Sequence, residues 1–216
     1  MALLTQLRRE LRFNAEFLQL IQTLKNIAAS QYHTLERAKV RFNEFMDAFS
    51  GFFRVVDMAG VDDPLVRPTA DTLGIVLVSS DSGFMGNLNA GVIEAGKEAR
   101  GDLPEDKVRF IVIGERGAMK LAESGLKYKL FPGISPETRF EQALEIRDYL
   151  VGEILEQRLG RVVVVYARAI SFTQQEIQTI RLLPCGDLFQ EDAASEIAER
   201  AARKGWTAPA LRVSVE

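Results

Sequence analysis

From Leu3 to Ser50 the sequence contains neither proline nor glycine, and turn punctuation begins only at Gly51, Gly60 and the 62-DDP-64 cluster. An uninterrupted stretch of this kind is read as one helix. A heptad laid from Leu4 places Leu4, Leu7, Leu11, Leu18, Ile21, Ala28, Tyr32, Leu35, Phe42, Met46, Phe49 and Phe53 on two seam positions, with Asn14, Lys25 and Lys39 as exceptions. At 1.5 Å per residue such a helix is a rod of roughly 75 Å, longer than a compact domain built from the remaining residues. Part of it is expected to project. An apolar seam left in water marks an interaction surface, so the rod needs a partner helix that no other stretch of these 216 residues is long enough to supply in full.

Beyond the linker the pattern changes to strands alternating with helices. Strands are expected at Thr72 to Ser79, Val108 to Gly114, Lys127 to Leu130 and Arg161 to Ala169, with helices over Asn89 to Ala99, Arg116 to Ser124 and Pro136 to Leu159. Gln174 to Leu183 alternates like a half-exposed strand that returns antiparallel. A further helix is expected over Ala193 to Lys204 and a short strand over Leu211 to Val215. The fold class is therefore α/β: a long N-terminal coiled-coil-type helix followed by a Rossmann-like layered domain with a largely parallel sheet. The expected domains are a helix over 1–58, a linker over 59–71 and the α/β domain over 72–216.

The first strand runs into a glycine-punctuated loop, 76-VLVSSDSGFMGNLNAG-91. It satisfies neither G-x-G-x-x-G nor G-x-x-x-x-G-K-[ST], so neither phosphate-cradling fingerprint is present. Residue physics favours a structural turn. Gly83 and Gly86 would supply turn conformations, Asp81 and Ser82 would bond local backbone, and Asn87 or Asn89 would cap the next helix.

No other constellation carries chemistry. His33 is the only histidine and lies within the long helix, so no histidine-based triad or metal cluster can be assembled. Cys185, in 183-LPCGD-187, is the only cysteine; it cannot form an internal disulfide and has no assignable base. Asp62, Asp63, Glu191 and Asp192 read as solvated loop carboxylates. A formal net charge of −3 without a basic block argues against nucleic acid. No apolar run approaches a membrane span, and no secretory signal is evident, which reads as an intracellular chain without direct membrane insertion. No catalytic residue, metal or cofactor is expected.

Taken together, helix and loop resemble one family, the gamma subunit of F-type ATP synthases. Ser79, Ser80, Asp81, Gly83, Gly86 and Asn89 stand in the places of its S-S-D-[RK]-G-L-C-G-x-x-N segment. The run 7-LRRELRFNAEFLQLIQTLKNIAASQ-31 is similar to its I-x-x-I-x-S-V-x-N-T-x-K-I-T-K-A-M-x-M-V-A-A-S-K helix. Ile27, Ala28, Ala29 and Ser30 fall on V-A-A-S, and Leu24 on a methionine. The departures are Ser82 for the basic residue, Phe84 and Met85 for leucine and cysteine, and Ala15, Glu16, Gln22, Asn26 and Gln31 at polar or basic helix positions. The family continues into a second long helix, whereas this sequence stops at 211-LRVSVE-216, near where that helix would begin; a piece of a longer chain is expected in preference to a divergent branch that lacks the C-terminal shaft helix.

The resemblance implies a non-catalytic central rotor shaft standing on a foot domain. Its partners would be the alpha and beta subunits, the epsilon subunit and the membrane c-ring. Its place would be peripheral, on the cytoplasmic face of the membrane. Leu24, Lys25, Ile27, Ala28 and Ala29 would face the catalytic ring or the second shaft helix, and the Ser79 to Asn89 loop would form a structural corner of the foot. Two other classes remain open on the residues alone. A nucleotide- or phosphate-binding α/β enzyme would retain a ligand near Asp81 to Asn87, and an unrelated coiled-coil adaptor would form a defined homodimer.

Overall fold

A computed structural model describes residues 2–53, 56–57, 61–83, 85–185 and 213–214. The chain divides into two compact units, Met1–Ala48 and Phe49–Glu216. Each is described by itself.

The first unit is almost entirely helix α1, which spans Ala2–Phe53, 52 residues in all, or about 78 Å of rise. It stops short of residue 58, and Val56–Asp57 is extended instead, forming strand β1. The β-branched Val56 favours that extended exit. The side-chain hydrogen bonds found along the helix stay within one turn. Gln6 donates to Glu10 at 3.3 Å, Gln22 to Asn26 at 3.2 Å, and the Thr23 and Thr34 hydroxyls donate to the carbonyls of Gln19 and Ser30. His33 lies 3.6 Å from Glu36, an exposed surface pair.

The second unit is built on a five-stranded sheet with the order β4-β3-β2-β5-β6. The strands are β2 (Leu73–Val78), β3 (Val108–Ile113), β4 (Tyr128–Phe131), β5 (Arg161–Ala169) and β6 (Gln175–Leu183). Strands β2 to β5 are parallel, and β6 returns antiparallel to β5 through the hairpin expected from its alternation. A separate pair joins β1 to β7 (Val213–Ser214) in parallel. The expected tail helix, with Glu191 and Asp192, lies outside the described residues.

Helices α2 (Leu88–Arg100), α3 (Glu115–Ala122) and α4 (Arg139–Leu155) follow β2, β3 and β4. Register explains the two layers of core. Leu73, Ile75 and Leu77 of β2 stand beside Val108, Phe110 and Val112 of β3 and pack against Val92 and Ile93 of α2 and Leu121 of α3. The alternate residues Val76, Ile111 and Ile113 point the other way, onto Leu150 and Ile154 of α4. A strand covered on both faces must be apolar throughout, which is why β2 reads as a continuous apolar run. Each fully buried side chain of this set contributes about 1.5–3 kcal/mol.

Helix α4 is shorter at both ends than the expected Pro136 to Leu159. Gln157 adopts a left-handed φ of 58°, and the N–H groups of Arg158 and Leu159 both donate back to the Glu153 carbonyl, which closes the helix. Glu153 itself is buried on α4. Its carboxylate accepts Nε and Nη2 of Arg158 at 2.9 and 2.7 Å and lies 3.7 Å from Arg109 of β3. The pairing offsets the cost of removing that carboxylate from water.

Candidate functional site

Two features present themselves: the surface of α1, and the loop that leaves β2. They belong to different units.

On α1, Leu24 and Ile27 are 56% and 51% exposed, Lys25 and Ala28 are exposed, and Ala29 is half-buried. The apolar residues of the heptad seam are bare as well, from Leu4 at 59% through Leu18 at 71% to Phe42 at 61%, apart from the half-buried Tyr32. A second stripe lies beside it. Phe13, Phe17, Leu20, Leu24 and Ile27 recur at intervals of four and three and are all exposed, with the Phe13 and Phe17 rings stacked at 6.1 Å. Between residues 13 and 28 the apolar side chains therefore spread over roughly 180° of the helix circumference, with Asn14 and Lys25 as the interruptions. A seam read only from its first and fourth positions misses this stripe; the same sequence read one face further round shows it. An arc this wide is too broad for one helix–helix contact and suits two neighbours at once.

The loop after β2 is held by bonds that reach across the sheet. The Ser79 hydroxyl donates to the Ile113 carbonyl at 2.6 Å and lies 3.2 Å from that of Gly114, while the Ser79 N–H also bonds Ile113. The Ser80 N–H donates to Asn89 Oδ1 at 3.0 Å, and Asn89 Nδ2 returns to Ser80 Oγ at 3.1 Å. The Ser80 carbonyl accepts the Arg116 N–H, and the Ser80 hydroxyl donates to the Ser82 carbonyl. Asp81 does not bond local backbone as expected. Its Oδ1 accepts the N–H of Glu115 at 2.8 Å and its Oδ2 that of Gly133 at 3.2 Å. One carboxylate thus fastens the loop after β2 to the loops after β3 and β4.

The helix-capping expectation also changes. Asn87 stands at the N-cap of α2 but makes no side-chain cap bond, and Asn89, inside α2, points back to Ser80. Short side chains with paired donors and acceptors brace a loop as readily as they cap a helix. Gly86 has φ of 57°, the left-handed turn expected of it, and Gly83 faces the Arg116 guanidinium.

Two glycines outside the motif make the corner possible. A Cβ on Gly117 would fall 2.1 Å from Ser79 Oγ, and one on Gly133 would fall 2.4 Å from Asp81 Oδ2. Neither is marked by any local pattern, because the constraint comes from the opposite loop. Gln142 completes the brace, donating to the Gly133 carbonyl at 2.9 Å and accepting the Ser135 N–H at 3.0 Å.

This geometry leaves little room for phosphate. The first two N–H groups of α3, where an anion would bind, are taken by the Asp81 carboxylate and the Ser80 carbonyl. A built-in carboxylate there would repel an incoming one. Among the described residues no group of His, Cys, Asp and Glu side chains could hold a metal ion. Cys185 is half-buried and burial pushes its thiol pKa up, away from the reactive thiolate. Among the described residues no helix is long and apolar enough to cross a membrane.

Comparison with known proteins gives the same picture. The model of the family described as ATP synthase matches residues 4–210. The chain is 25% identical over 207 residues to the ATP synthase gamma chain of Exiguobacterium sp., covering 91% of this chain and 70% of that one. It is 26% identical over 199 residues to the ATP synthase gamma chain of Maridesulfovibrio salexigens, covering 87% and 65%. Its fold matches a chain in the rotor of the Euglena gracilis mitochondrial ATP synthase with a TM-score of 0.51 at 18% identity, covering 90% of this chain and 66% of that one. The chain thus spans roughly two thirds of the length of the proteins it matches, with helix, corner loop and sheet all inside the matched region. The chain belongs to the ATP synthase gamma-chain family.

Proposed function

We propose that this chain is the central-stalk part of an F-type ATP synthase, a non-catalytic subunit that couples the membrane c-ring to conformational change in the ring of alpha and beta subunits. The observation that carries the reading is α1: a 52-residue helix whose apolar residues are bare on an arc wide enough for two neighbours. A shaft packed against a second helix on one side and enclosed by a ring on the other needs that surface. Leu24, Lys25, Ile27, Ala28 and Ala29 form the part that faces the catalytic ring and the second helix. The small Ala28 and Ala29 admit a close helix, and Lys25 meets an acidic neighbour there.

A stiff, eccentric rod presents different faces to equivalent sites, and each site shifts only as far as its contacts differ between states. The α/β unit serves as the foot, with the epsilon subunit and the c-ring as its partners. The Ser79 to Asn89 corner gives the foot its rigidity and forms part of the surface by which it meets its neighbours. The complex sits as a peripheral assembly on the cytoplasmic face of the membrane. A photo-crosslinking residue at Leu24 in the assembled complex tests the arrangement: products with alpha or beta subunits are expected, and their absence with full incorporation of the chain would refute it.

A further inference from the structure

Strand β4 is an edge of the five-stranded sheet. The Phe131 carbonyl accepts the Gly114 N–H, so Phe131 turns its polar backbone groups toward β3. Alternation along the strand then directs the N–H and C=O of Tyr128 and Leu130 outward, away from the sheet. The side chains alternate as well. Lys129 is in register with Ile111, on the face covered by α4, and Lys127, just before the strand, lines the same hollow as Lys129. Tyr128 and Leu130 occupy the opposite face and are 38% and 42% exposed.

Lysines on an edge strand ordinarily keep other strands away by standing out in its path. Lys129 does not stand out: its Nζ lies 5.5 Å from the Phe131 ring centroid and 5.8 Å from that of Tyr149. Among the described residues the edge is therefore open, with cations along one side and apolar side chains along the other. Arg109, 50% exposed and 3.7 Å from Glu153, adds a third cation to the hollow at the foot of β3 and β4. The carboxylates of Glu105 and Asp106 line that hollow too, at the start of β3.

From this we infer that β4 is a docking edge for an extended segment of a partner protein in which acidic and apolar residues alternate. The segment adds as a sixth strand. Its backbone pairs with Tyr128 and Leu130, its acidic side chains lie against Lys127 and Lys129, and its apolar side chains cover Tyr128 and Leu130. This goes beyond the stalk reading and does not depend on it.

The probe is a short fluorescent peptide of alternating glutamate and valine, titrated against the whole chain by anisotropy, with a scrambled peptide of the same composition as control. Saturable binding of the alternating peptide alone is expected. The Lys127→Glu/Lys129→Glu variant should weaken it about ten-fold. Leu130→Pro should abolish it, because the lost N–H faces outward and is not one the sheet uses. A peptide N-methylated at alternate residues gives the same test on unaltered protein and should fail to bind. No binding to the wild-type chain, equal binding of the scrambled peptide, or unchanged binding of the N-methylated peptide would each overturn the proposal.

Discussion

The carboxylate of Asp81 and the backbone N–H of Glu115 are joined at 2.8 Å across 34 positions of sequence. With its second oxygen on the Gly133 N–H, Asp81 is the common anchor of three loops at the carboxyl ends of β2, β3 and β4. Replacing it by alanine is expected to lower unfolding stability by about 1–3 kcal/mol, as two backbone donors lose a charged acceptor at a site open to water. Asn in its place keeps one acceptor and should lose about half as much. Urea midpoints of the two variants check the order.

Asp81 and Gly133 should also be coupled. Gly133→Ala places a methyl group 2.4 Å from Asp81 Oδ2 and is expected to cost about 1–3 kcal/mol. In an Asp81→Ala background most of that cost should vanish, since the atoms in its way are gone. A double-mutant cycle measures the difference, and additive costs would show that the approach of loop to glycine is not what strains the variant.

Tyr149 gives a pH dependence. Burial raises its pKa above the ordinary 10.0, and the Glu153 carboxylate adds to the rise. A raised folded-state pKa means that the folded protein holds this proton more tightly than the unfolded chain. Its stabilising effect is complete below about pH 10 and is lost as pH rises through the folded value. Stability should fall on the alkaline side, and Tyr149→Phe should remove part of that fall while leaving neutral pH nearly unchanged. Denaturation midpoints measured from pH 7 to pH 11 test the sign.

The two stripes of α1 should matter to assembly and not to the isolated chain. Leu24, Ile27, Phe13 and Phe17 are each at least half exposed. Leu24→Lys or Phe17→Ser should therefore change the stability of the isolated chain by no more than about 0.5 kcal/mol, with helicity and thermal midpoint nearly unchanged. Each should nevertheless weaken incorporation into a complex with alpha and beta subunits. Circular dichroism and a capture assay on the same variants separate the two effects.

Much of this architecture was legible because local rules and tertiary packing agree. The absence of proline and glycine through Ser50 corresponds to a helix from Ala2 to Phe53, and the apolar runs of β2, β3 and β5 correspond to strands covered on both faces. Strand β5 has the bounds its sequence suggests, Arg161–Ala169. The bonds of the corner were not legible. Asp81 reads as a local turn former, yet its partners lie in loops reached only after β3 and β4 are in register with β2. Gly117 and Gly133 carry no signal for the same reason. The second stripe of α1 was present in the sequence but hidden by a heptad that tracks two positions at a time.

In the proposed arrangement α1 is a shaft that seats in a ring of alpha and beta subunits beside a second helix. Capture of this chain by assembled alpha and beta subunits from the same cell, with and without a peptide supplying a second long shaft helix, tests it most directly. Capture is expected to strengthen with the peptide and to be lost in a Leu24→Lys/Ile27→Lys variant. Failure of capture in both conditions, with a nucleotide retained by the chain through gel filtration, would contradict it and return attention to the loop from Asp81 to Asn87.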